Sequence, residues 1–84
     1  MSTLTIHCRF FARYAELLGC ERVDVPVPNG ATVADLVARV RASVPSGDRL
    51  PVHLMAAVNR THVPSGHSLT DGDEVAFLPP LAGG

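Results

Sequence analysis

"LTDGDEVAFLPPLAGG", residues 69–84, decides how this chain folds and where it stops folding. Asp71-Gly72 reads as a tight turn, because Asp caps its own backbone and Gly accepts a positive φ. "EVAFL" then alternates: Val75 and Phe77 take one face, and Glu74, Ala76 and Leu78 the other, so the segment is a half-buried strand. Pro79 and Pro80 have fixed φ and no N–H to give a sheet, so pairing ends there. They project the chain as a short stiff spacer. Leu81 and Ala82 offer modest apolar grip, and Gly83-Gly84, lacking Cβ, can thread a channel too narrow for side chains. The division is a folded domain over residues 1–78 and an extended tail over residues 79–84.

The remaining segments supply partners for that strand. "TLTIHCRF" alternates, with Leu4, Ile6, Cys8 and Phe10 on one face and Thr3, Thr5, His7 and Arg9 on the other. "FARYAELLG" shifts to helical period, with Phe11, Tyr14, Ala15 and Leu18 on one side and Gly19 suited to the position after the helix. "RVDVPV" alternates again, and Pro26 confines it to a sheet edge. In "TVADLVARVRASV", Thr32 and Asp35 form a capping-box pattern, and Val33, Leu36, Val37, Val40 and Val44 form an apolar stripe. Valine is a mediocre helix former, so this helix depends on packing against a sheet. "PSGDRLPVH" reads as a loop. "LMAAVN" is a strand apolar on both faces, hence interior to the sheet. Asn59-Arg60 begins a turn, and "VPSGHS" reads as irregular.

Two strands, a main helix laid across them and further strands make the α+β pattern of a ubiquitin-like β-grasp: a mixed sheet with one main helix and one short one. A ferredoxin-like split βαβ unit needs a second long helix late in the chain, and no later segment has helical period.

Composition excludes several functions. The net charge is −1, carried by seven Arg, no Lys and eight acids spread along 84 residues, so no basic stripe for nucleic acid exists. No apolar run is long enough to span a membrane, and the N-terminus lacks a signal pattern; the expected location is the cytoplasm. Apolar residues make up 46 % of a chain with little interior, which points to a partner-binding surface. Cys8 and Cys20 form no C-x-x-C pair, so neither a disulfide nor a metal site is expected. His7, His53, His62 and His67 have no ligand spacing around them, and no nucleophile elbow or phosphate loop occurs. The chain has no active site of its own.

Attention returns to the terminal carboxylate, ionised at neutral pH and a poor electrophile. ATP can activate such a group as an acyl-adenylate, from which a sulfur donor displaces AMP to leave a thiocarboxylate. The opposing reading is a frayed terminus that is Gly-rich by chance.

"FFARYAELLG" (10–19), "MAAVNRTHV" (55–63) and above all "DGDEVAFLPPLAGG" (71–84) resemble the sulfur-carrying small-subunit family of molybdopterin synthase, the MoaD branch of the ubiquitin-like MoaD/ThiS superfamily. The likeness is weak across residues 20–53 and close from Met55 to Gly84. It implies a ubiquitin-like β-grasp whose Gly84 is adenylated by an ATP-using activating enzyme of ubiquitin-activating type and then sulfurated by a sulfur donor protein. It also implies a tail that enters the large synthase subunit, in an assembly of two small and two large subunits. There sulfur passes to cyclic pyranopterin monophosphate, held mainly by the large subunit, in molybdenum cofactor biosynthesis. The small subunit is then non-catalytic and binds no cofactor itself. Gly83, Ala82, Leu81, Pro80, Pro79 and Leu78 are the expected contacts of the tail. Leu78 and Phe11, expected on the outer surface, are candidates for an apolar docking patch. His62 stands where the family commonly has an apolar docking residue, which would weaken that contact or make it pH-sensitive. Three alternatives stay open: a sulfur carrier for cysteine or thiamine synthesis, a ubiquitin-like protein modifier, and an adaptor with an inert tail.

Overall fold

The structure, a computed structural model, describes residues 2–79. The elements run β1 (Thr3–Phe10), α1 (Ala12–Leu18), β2 (Arg22–Pro28), α2 (Val33–Ser43), a 3₁₀ turn (Gly47–Arg49), β3 (Met55–Val58), β4 (Thr61–Val63) and β5 (Glu74–Leu78). The five strands form one sheet in the order β2-β1-β5-β3-β4. The last strand thus inserts at the centre, parallel to β1 and antiparallel to β3. This is the mixed sheet of a ubiquitin-like β-grasp.

The core follows the alternation of the strands. Leu4, Ile6, Cys8 and Phe10 of β1, Val25 and Val27 of β2, and Val75 and Phe77 of β5 are buried on the face that α2 covers. Phe10 and Phe77 are Cα partners in the parallel ladder, and their rings stack with centroids 5.7 Å apart. From α2 come Val33, Leu36, Val37 and Val40, all buried, with Val44 just beyond the last turn. The capping box is complete: Asp35 N–H donates to Thr32 Oγ1 at 3.3 Å, and Thr32 N–H donates to Asp35 Oδ2 at 2.9 Å. Both ties satisfy amides that the helix start would otherwise leave orphaned. β2 is an edge strand, as Pro26 requires, and β3 is interior.

Three local expectations need correction. The segment expected as a loop after α2 contains the 3₁₀ turn, held by Arg41, whose Nε donates to Leu50 O at 2.9 Å and Nη2 to Asp48 O at 3.2 Å. Gly47 packs so tightly on α2 that a Cβ there would lie 2.3 Å from Val40 O. The segment after the Asn59-Arg60 turn is not wholly irregular. Thr61–Val63 forms β4 against β3, across a turn whose two residues both have positive φ, 48° and 74°. Such mirror-image turns suit hairpin twist, but Arg is not one of their usual residues, so the hairpin is hidden in the sequence. Finally, Phe11 does not join the apolar face of α1. It caps the helix in extended conformation (φ −123°, ψ 153°) and so points opposite to Phe10, away from the core.

Candidate functional site: the open face of the sheet

Among the described residues, the face of the sheet away from α2 carries no helix, and its residues can be read off the register. One row runs Arg22, Arg9, Ala76, Ala57 and His62 across all five strands. Ala57 is buried yet stands outside the core cluster, as a small residue between Ala76 and His62 must. The next row, toward the end where β5 leaves the sheet, holds Met55 opposite Leu78. Phe11 and Leu78 each follow directly on the Phe10–Phe77 pair of the parallel ladder. Phe11 and Met55 are 36 % and 52 % exposed, two of three large apolar side chains so exposed among the described residues.

An apolar patch therefore surrounds the point where the chain departs through Pro79, over a floor of two alanines. The sheet sets Leu78 and His62 on the same face, His62 in the row of Ala57 on the edge strand β4 and Leu78 in the next row on β5, while Phe11 follows the end of β1. Leu78 is half-buried rather than exposed, and Met55 is its partner in the ladder. Pro79 is half-buried at the patch edge. Pro80, Leu81, Ala82, Gly83 and Gly84 lie outside the described residues. Met55 is the residue the sequence reading missed. "LMAAVN" is apolar on both faces, and only the antiparallel register with β5 reveals that Met55 meets Leu78.

Charges border the patch on one side. Arg9 holds its guanidinium 5.1 Å from the Phe11 ring centroid, a cation–π distance, and 3.8 Å from Glu74 Oε1. His7 Nδ1 and Asp24 Oδ1 are 2.7 Å apart one row further. Asn59 ties the β3–β4 turn to β5: its Nδ2 donates to Asp73 Oδ1, and Glu74 N–H donates to its Oδ1. That brace holds His62 in its row.

The cysteines are free. Burial, followed by the negative charge of Asp24, pushes the Cys8 thiol up to about 12, so it stays protonated and unreactive at neutral pH. No helix among the described residues is long and apolar enough to cross a membrane.

Residues 8–84 match the ThiS family. The chain belongs to the ThiS family. Within it, the chain is 42 % identical over 80 residues to the molybdopterin synthase sulfur carrier subunit of Escherichia coli (strain K12), covering 89 % of this chain and 94 % of that one. The subunit of the same name from Chlamydomonas reinhardtii is 34 % identical over 83 residues, covering 96 % and 100 %. Among solved structures, SAMP1, the small archaeal modifier protein 1 of Haloferax volcanii, matches with a TM-score of 0.79 and 31 % identity, covering 95 % of this chain and 99 % of that one. Both curated relatives carry the name molybdopterin synthase sulfur carrier subunit, the family the resemblance pointed to.

Proposed function

We propose that this chain is the sulfur carrier of a molybdopterin synthase, with the open face as its seat on the large subunit and Gly84 as the sulfur-bearing residue. The observation that carries this reading is the coincidence of Phe11, Leu78 and Met55 with the exit of the chain through Pro79. Folding does not require those side chains outside the core; a partner that must capture the root of the tail does.

The chemistry then proceeds in three steps. The Gly84 carboxylate attacks the α-phosphate of ATP on an activating enzyme, forming an acyl-adenylate and releasing pyrophosphate. Sulfur supplied at the sulfide level displaces AMP and leaves a thiocarboxylate; a donor persulfide would instead form an acyl disulfide, which a thiol reductant must cleave to release the thiocarboxylate. Pro79 and Pro80 aim the tail, Leu81 and Ala82 grip, and Gly83-Gly84 pass into the large subunit, where sulfur is transferred to the pterin. This chain supplies position and a thin tip, not acid–base catalysis.

The test is reconstitution. A purified large subunit given cyclic pyranopterin monophosphate and the sulfurated chain should form the dithiolene product. Chain lacking Gly84 and carried through the same activation should not. Product formation by the shortened chain would refute the assignment.

The likeness to SAMP1 favours a second reading, in which Gly84 is joined to a lysine of a target protein. Having no Lys, the chain cannot form side-chain-linked polymers of itself. Isopeptide-linked adducts of the chain on lysines in a cell extract would support that reading; sulfur transfer without adducts would dismiss it.

A further inference from the structure

The open face carries one arrangement that folding does not explain. Arg9 and Arg22 are Cα partners in the antiparallel β1–β2 ladder and share the open face. Like charges set directly opposite each other destabilise a sheet pair. Neighbouring acids relieve this only in part. Glu74 approaches Arg9 at 3.8 Å, too long for a hydrogen bond, and Asp24 is engaged by His7. Arg22 makes no ion pair among the described residues. His7, Arg9, Arg22, Asp24 and Glu74, together with Cys8, line a cavity of ≈ 190 Å³. Arg9 also lies 5.1 Å from the Phe11 ring centroid, so this one residue borders both the cavity and the apolar patch.

We propose that Arg9 and Arg22 form a cationic corner that receives a carboxylate side chain of the large synthase subunit, which rests on the reading of this face as that subunit's seat. The apolar patch supplies burial, and the corner fixes which way the partner lies across the sheet. Charge complementarity at an interface rim sets register and association rate more than raw affinity. Arg22 is the better probe, being exposed on an edge strand and clear of Phe11.

The experiment compares binding of the full chain to its purified large subunit for wild type, Arg22→Glu, Phe11→Ala and Arg49→Glu. Arg49→Glu is a charge-matched control in the 3₁₀ turn packed beside α2. Arg22→Glu should weaken binding by about tenfold at about 50 mM salt, since reversal replaces an attraction with a repulsion. At about 500 mM salt the deficit should largely vanish, because the Debye length shrinks below the range of a rim contact. Phe11→Ala should weaken binding at both salts, and Arg49→Glu at neither. Arg22→Glu binding within about twofold of wild type at low salt, with Phe11→Ala still impaired, overturns the corner and leaves the docking face standing. An Arg22→Glu defect seen only with the activating enzyme also overturns it, as does a defect matched by Arg49→Glu. Failure of the wild-type chain to bind the large subunit overturns both the corner and the function on which it rests.

Discussion

The two faces of the sheet are built from the same strands and obey different demands. On the helix-covered face, β1 and β5 present Leu4, Ile6, Cys8, Phe10, Val75 and Phe77, all buried. On the open face the alternate positions present Arg9, Phe11, Glu74, Ala76 and Leu78, where apolar, small and charged residues meet. The covered face is what folding requires, since each side chain there removes apolar area from water. The open face departs from what folding alone would choose. It keeps Phe11 and Met55 in solvent and sets Arg9 opposite Arg22. The lesson is that function in this chain is to be sought where the alternation stops serving the core.

Substitutions sharpen the contrast, and the covered face should give the largest effects on stability. Phe77→Ala removes a fully buried ring stacked on Phe10 and should cost about 3–5 kcal/mol, read by chemical denaturation. Gly47→Ala forces a methyl against Val40 O beneath the 3₁₀ turn and should cost about 1–3 kcal/mol; an unchanged denaturation midpoint would show that the turn is not closely packed on α2.

Cys8 gives a pH test. Its folded pKa of about 12 lies above the ordinary thiol value of 9.0. Below pH 9 both the folded and unfolded thiols are protonated and the full contribution is present. Above that, the unfolded chain releases its proton while the folded chain keeps it, so stability falls by up to about 1.4 kcal/mol per pH unit until pH 12. Cys8→Ala should therefore lose stability less steeply than wild type in this alkaline window. Parallel slopes would show that Cys8 does not titrate differently on folding.

The smallest stability change should come from the open face. Phe11→Ala should shift stability by less than about 1 kcal/mol, as expected of an exposed side chain, while impairing binding of the large subunit. A Phe11 variant that unfolds would make this residue part of the core and erase the distinction between the faces.

The same contrast explains what could be read without coordinates. The covered face was legible because burial imposes period two on strands and a stripe on α2, and because Thr32 and Asp35 mark the helix start. The Gly19 position was legible from its chemistry and has φ 72°. What escaped was set by pairing rather than by pattern. β4 is three residues long and follows an unusual turn, and Met55 gains its place only from the register with Leu78. Phe11 sat at a junction of two periods: the helical pattern grouped it with Tyr14 and Leu18, whereas its expected place on the outer surface is the one the extended backbone gives it. The tail beyond Pro79 lies outside the described residues, and its proposed role rests on the chemistry of Pro79-Pro80 and Gly83-Gly84 and on the likeness to the curated sulfur carrier subunits.

That role is tested most directly by the intact mass of the chain after incubation with its activating enzyme, ATP and a sulfur donor. The account predicts a gain equal to replacing one oxygen by one sulfur, located by fragmentation to Gly84 and lost when Gly84 is deleted. An unchanged mass in a mixture that sulfurates a known carrier, or sulfur located anywhere but Gly84, would contradict it.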